Sequence, residues 1–321
     1  MATYPYLALK HAAGSEEPVF FSVSESKAID IDNRGELKND NCWATPQGWV
    51  LVRDTESSST YLMDPHDRAD KRRIPLPHLP EDNLSTYCSC LLSDYFDPAQ
   101  RSSSCIVLLV EPDSPVLWYC HIGDDVDDDD KQWVRHEYDI GSQGLPDLGE
   151  GCSEEVLVCP IASCGGKFYL NGCLEEIGVL EFCPGPMFSL LNIHDAIDED
   201  DGFEKIFMVE SRQDLYMVSM LSSLDLDTVY RVTVHKMDFL RKEWHKVDDL
   251  GDRAFLLSSW YFGASCSAEK CGLEQGCVYS VNPWDKCVRV YNIKDGTTKV
   301  LDLKEAPMVD QALWMLPIVQ Q

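Results

Sequence analysis

The sequence predicts an all-β fold: a β-propeller of about six four-stranded blades, with the ring closed by strands from the two chain ends. Three observations carry this. Short runs rich in Val, Ile, Leu, Tyr, Phe and Trp recur along the 321 residues, each bounded by Gly, Pro, Asp, Asn or Ser, which is the pattern of strands and turns. A sustained 3.6-residue apolar period, the mark of an amphipathic helix, is hard to find anywhere. The runs also fall into groups that repeat at about 55 residues, a spacing typical of solenoids and propellers.

Taken in order, Val19 to Val23 and Ala28 to Ile31 form the first group. Gly48 to Asp54 and Thr60 to Asp64 follow, closed by a run at Ile74. Cys105 to Val110 and Val116 to Ile122 are closed by Lys131-Gln132-Trp133-Val134, and Lys167 to Leu170 by a run at Phe188. Lys205 to Val209, Leu215 to Met220 and Tyr230 to His235 are closed by Lys242-Glu243-Trp244-His245, which repeats the charged-polar-Trp pattern of the earlier closing run. Cys277 to Val281 and Cys287 to Ile293 end at Val300. A single four-stranded blade cannot bury both its faces, so each must stack on a neighbour, and ring closure removes the exposed ends. The first group is one strand short, and Leu313 to Ile318 can supply it. Residues 1–321 therefore read as a single propeller domain, with a pair of β-sandwiches as the alternative. Within it, Trp43 and Trp49 flank the turn Thr45-Pro46-Gln47-Gly48 and are expected to pack under it.

Charge narrows the function. With 27 Lys+Arg against 55 Asp+Glu the net charge is −28, which disfavours nucleic acid and anionic membrane surfaces. No targeting segment or membrane span is visible in the sequence, and the 14 cysteines sit largely in apolar runs, as reduced buried thiols do. The expected location is the cytoplasm or nucleus. The acidity concentrates in Asp124 to Asp130 and Asp195 to Asp201, which read as solvated turns, and the second run lacks the ligand spacing of a calcium loop.

No catalytic set stands out. The Gly165-Gly166-Lys167 triplet lacks the remaining positions of a phosphate loop and reads as a tight turn. The cysteine spacings lack paired Cys-x-x-Cys knuckles, with Cys266 to Cys277 the nearest approach to a zinc site. His121 and His235 fall inside strand runs. The expectation is a non-enzymatic chain with no catalytic, cofactor-binding or metal residues, a monomer that binds protein partners, including ones with a basic surface, through its loops. Candidate contact residues are Asp127, Asp128, Asp129 and Asp130, and the adjacent aromatics Trp260, Tyr261 and Phe262, whose plainer reading is strand core. The alternative function is an enzymatic or small-molecule-binding propeller that uses the central channel.

The order of motifs then matches a known pattern. PYLALKH and VFFSV are followed by CWATPQGWVLVRD, TYLMDP and IPLP, and later by WHKVDDLGDRAFLLSS, GCVYSVNP and CVRVYNIKDG. From Tyr4 to Pro317 this resembles the plant KIB-type β-propeller family, most specifically at Trp49, at Asp64-Pro65 with Ile74-Pro75-Leu76-Pro77, and at Leu250 to Phe255. The resemblance implies a kelch-like propeller acting in protein recognition, and in F-box-bearing members as the substrate receptor of a cullin-type ubiquitin ligase. Some members are understood to act on a glycogen-synthase-kinase-like kinase in hormone signalling. Here the propeller pattern starts within the first few residues, so the expectation is a propeller without the F-box. The family positions imply structural roles: Trp49 inside a blade, and Gly251-Asp252 as the turn before the strand AFLLSS.

Overall fold

The computed structural model describes residues 5–10, 18–30, 41–54, 57, 59–66, 73–81, 84–96, 104–123, 131–144, 152–194, 203–222, 229–258, 260–282, 284, 286–303, 309 and 311–318. It is a six-bladed ring. The first blade holds β1 (Tyr6–Lys10), β2 (Val19–Ser22) and β3 (Lys27–Ile29), and the second holds β4 (Cys42–Ala44), β5 (Val50–Asp54), β6 (Ser59–Met63) and β7 (Arg73–Leu76). The third runs through β8 (Ser89–Leu92), β9 (Cys105–Val110), β10 (Val116–Ile122) and β11 (Val134–Glu137). A small hairpin, β12 (Ser142–Gly144) with β13 (Ser153–Glu155), precedes the fourth blade: β14 (Ile161–Cys164), β15 (Lys167–Leu170), β16 (Glu176–Phe182) and β17 (Pro186–Asn192). The fifth comprises β18 (Phe203–Ser211), β19 (Asp214–Ser222), β20 (Val229–Asp238) and β21 (Glu243–Lys246).

The sixth blade departs from the pattern. β22 (Arg253–Leu257) turns back into β23 (Gly263–Ser267), which takes the innermost place, and β22 then runs parallel to β24 (Cys277–Asn282), followed by β25 (Cys287–Asn292) and β26 (Thr298–Asp302). A short helix, α1 (Ala268–Cys271), sits between β23 and β24. The last strand, β27 (Gln311–Met315), pairs with β1 and supplies the strand that the first blade lacks.

Closure is visible in the packing. Among the described residues the buried apolar side chains form six clusters, and each lies between two neighbouring blades, including one that joins β22 to β25 with β1, β2 and β27. An open sandwich pair would leave its outer faces without such a partner. The Trp314 indole donates to Leu257 O at 2.9 Å and the Ser258 hydroxyl to Ala312 O at 2.5 Å, which ties the last blade to the first.

The repeated closing-run tryptophan has a physical reason. Trp133 donates to Pro77 O of the second blade at 2.9 Å, and Trp244 donates to Cys173 O of the fourth at 3.0 Å. Each indole therefore fastens its own outer strand to the preceding blade while burying a large ring. Trp43 and Trp49 are both 1% exposed beside the Thr45–Gly48 turn, as expected of residues that pack under it. Gly165 and Gly166 form the turn from β14 to β15 with φ of 57° and 79°, a conformation that costs a glycine little.

Candidate functional site

The innermost strands surround the channel axis, and their C-terminal ends converge on one side. There the Gln47 carboxamide donates to Leu92 O at 3.2 Å and to the Ser163 hydroxyl at 2.8 Å, and accepts from Leu92 N–H at 3.2 Å. One buried side chain thus joins the second, third and fourth blades by satisfying main-chain groups that β8 would otherwise leave unpaired. Nearby, Tyr95 donates to a Glu210 carboxylate oxygen at 2.8 Å, and Arg253 Nε donates to the Ser211 and Ser265 hydroxyls at 3.2 and 2.9 Å. Burial raises the Glu210 carboxyl above the usual carboxylate range. These groups are spent on each other, and they seal the ring.

At the other end, where the innermost strands begin, the tip of the β22–β23 hairpin leans over the mouth. Trp260 and Tyr261 hold φ of 57° and 59°, a left-handed turn that is uncommon for aromatic residues. The strand-core reading of Trp260, Tyr261 and Phe262 is corrected here: the reversal needed to bring β23 inward puts Trp260 and Tyr261 in a turn, with Trp260 42% exposed. The Trp260 ring lies against Tyr87 with centroids 4.7 Å apart. Gln311 donates to Thr86 O at 2.5 Å, which fixes the Tyr87 segment across the opening.

The mouth itself encloses about 50 Å³, and none of its described lining residues is a His, Asp or Glu. That volume is far below the several hundred Å³ of ordinary small-ligand sites. A larger groove of about 360 Å³ lies between the fifth and sixth blades, lined by Lys205, Phe207, Ser280, Arg289 and Tyr291 among others. Tyr261 lines both concavities, so mouth and groove share a wall. Its ring stands 5.7 Å from Phe207, and the Lys205 ammonium lies 4.9 Å from the Tyr261 centroid and 5.1 Å from that of Phe207. Burial of the ammonium group lowers the Lys205 pKa, although the lysine as a whole keeps an exposed surface.

Asp127, Asp128, Asp129 and Asp130 lie outside the described residues, as does Asp195 to Asp201. His235 is buried inside β20 and shifted toward its neutral form by burial and by Lys246 and Arg231. Among the described residues no group of three or more His, Cys, Asp and Glu is placed to hold a metal ion, and the Cys266 and Cys277 side chains pack in the cluster between the sixth and first blades. No helix among the described residues is long and apolar enough to cross a membrane.

A KIB1-4 beta-propeller family model matches residues 20–299. The chain belongs to that family. No curated protein matches the chain of this KIB1-4 propeller. Solved structures similar to it include apo AztD from Citrobacter koseri, at 10% identity over 98% of this chain and 99% of that one, with a TM-score of 0.35. An exo-beta-1,3-galactanase from Phanerochaete chrysosporium is 9% identical over 95% of this chain and 66% of that chain, TM-score 0.33. A quinonprotein alcohol dehydrogenase-like protein from Bacteroides thetaiotaomicron is 11% identical over 98% and 76%, TM-score 0.34. At such scores their chemistry carries no argument for the KIB1-4 propeller.

Proposed function

We propose that this KIB1-4 propeller is a non-enzymatic protein-interaction module that grips a protein partner at the hairpin rim of its ring. The carrying observation is the Trp260–Tyr87 stack: a partly exposed indole on a fixed turn, backed by a second ring at 4.7 Å. A rigid aromatic at a concave rim contributes contact area while losing little side-chain freedom on binding, which is how interface hot spots are built. The small apolar mouth, without a carboxylate or imidazole among its described lining residues, supports binding over channel chemistry. In F-box-bearing relatives such a module would present its partner for ubiquitin transfer.

The test is affinity capture with mass spectrometry, comparing the wild-type chain, Trp260→Ala and a variant with Asp127 to Asp130 changed to Asn. Partners lost with Trp260→Ala and retained by the Asn variant support the rim. Partners held equally by all three chains refute it, and partners lost only with the Asn variant assign contact to the acidic run.

A further inference from the structure

We infer that the groove between the fifth and sixth blades is a binding site for an acidic peptide segment, with a carboxylate seated on Lys205 and apolar side chains running toward Tyr261 and the mouth. This rests on the protein-binding reading above and adds the chemistry of what is bound.

Strand alternation sets the charge of the groove. β18 and β19 turn Lys205, Phe207 and Met220 toward the sixth blade, while β24 and β25 turn Ser280, Asn282, Arg289 and Tyr291 toward the fifth. Two cations therefore face a common space in a chain of net charge −28. Glu204 lines the same groove and accepts a hydrogen bond from Ser219 within its own blade, so two cations stand against one carboxylate in the described lining. Lys205 has no carboxylate partner among the described residues, and two aromatic faces about 5 Å away hold its ammonium in place. Rings position a cation but accept no conventional hydrogen bond, so its three N–H donors still call for an oxygen anion.

The surroundings favour a peptide over a free small acid. The groove offers about 360 Å³, enough for one or two side chains, and meets the mouth at Tyr261. Phe203 on its wall is 54% exposed, and Trp284, two positions past Asn282, is 60% exposed. A ligand that reaches the groove, these rings and the mouth together is longer than a single small molecule. Aromatic surface flanking a fixed cation suits an acidic residue with apolar neighbours.

The experiment selects a displayed library of random peptides on the wild-type chain, then measures the selected peptides on Lys205→Met and Lys205→Arg. The expected result is enrichment of Asp or Glu beside apolar residues, at least a tenfold loss of affinity on Lys205→Met, and retention on Lys205→Arg. Replacing the selected Glu by Gln in the peptide should cost a similar factor, a readout that does not depend on the variant's folding. Absence of binders, selection without acidic residues, or equal binding to Lys205→Met would overturn the inference. So would N-acetylglutamate competing as strongly as the peptide, which would mark a small-acid site, or a gain of tenfold or more on neutralising Asp124 to Asp130, which would make the chain's own acidic run the occupant. Partner capture that depends on Trp260 but not on Lys205 would sink this inference and leave the proposed function standing. Acidic-peptide binding together with capture indifferent to Trp260 would do the reverse.

Discussion

Trp49 stands at 1% exposure against the third blade, within the cluster that also holds Leu51, Leu62, Leu92 and Val107. Truncation to Ala would remove a double ring from a site that the surrounding rigid strands cannot refill. The expected cost of Trp49→Ala is about 3–5 kcal/mol, read as a fall in the denaturant midpoint at unchanged slope. His66 offers a pH-dependent counterpart. Its Nε2–H donates to the Leu316 carbonyl at 2.5 Å, its ring packs edge-on to Tyr6, and its pKa is pushed down to about 4 by burial, partly offset by that hydrogen bond. Because the folded value lies below the ordinary imidazole value, the unfolded chain takes up the proton first as pH falls. The neutral ring's contribution is thus complete above about pH 6.5 and drains away between there and about pH 4, on the order of 3 kcal/mol. The difference in melting temperature between wild type and His66→Gln should therefore shift against the wild type on going from pH 7.5 to pH 5. A difference constant with pH would show that the imidazole stays neutral in both states or charged in both.

The elements show why the ring is only as strong as its seam. β27 gives the first blade its innermost strand and brings Trp314 against Leu257. Ending the chain at residue 310 should expose the edge of β1 and open the cluster between the sixth and first blades. The shortened chain is expected to lose its cooperative thermal transition, and a melting curve as sharp and as high as that of the full chain would deny the seam that role. The element scale also explains what could be read in the sequence. The closing runs at Ile74, Trp133, Phe188, Trp244 and Val300 fall on or directly beside β7, β11, β17, β21 and β26. β9, β10 and β15 match their predicted spans residue for residue, being buried runs with clear turn signals. Of the innermost strands, β18 and β27 are legible, as Lys205 to Val209 and Leu313 to Ile318, whereas β4, β8, β14 and β23 are hidden. Near the axis neighbouring strands crowd together, so these strands are short and use small residues, Cys42 to Ala44, Ile161 to Cys164 and Gly263 to Ser267, which carry little β-propensity. Gly263 shows how tight the approach is: an added Cβ would lie 2.5 Å from Met208 O. The same crowding explains much of the cysteine usage, since Cys42, Cys90, Cys164 and Cys266 are small apolar fillers of four innermost strands. The groove could not be read either, because nothing local marks Lys205 and Arg289 as facing each other across two blades.

For the molecule as a whole, charge acts differently at long and short range, and the two can be separated by rate. A net charge of −28 repels an acidic ligand at a distance and draws in a basic one. At the groove the local sources are Lys205 and Arg289, which line it. Added salt shortens the Debye length from about 30 Å at 0.01 M to about 8 Å at 0.15 M, which removes the long-range field while leaving a partly desolvated contact less affected. For an acidic peptide on this chain, association should therefore speed up as salt rises over that range, and dissociation should also speed up as the contact weakens. A basic partner drawn by the acidic runs would show the opposite sign, with association slowing as salt rises. Stopped-flow or surface-based rates for a selected acidic peptide at several ionic strengths distinguish the two. An association rate for the acidic peptide that falls with salt would overturn this reading, because it would mean that the encounter is governed by local attraction to Lys205 and Arg289 and not by the net charge.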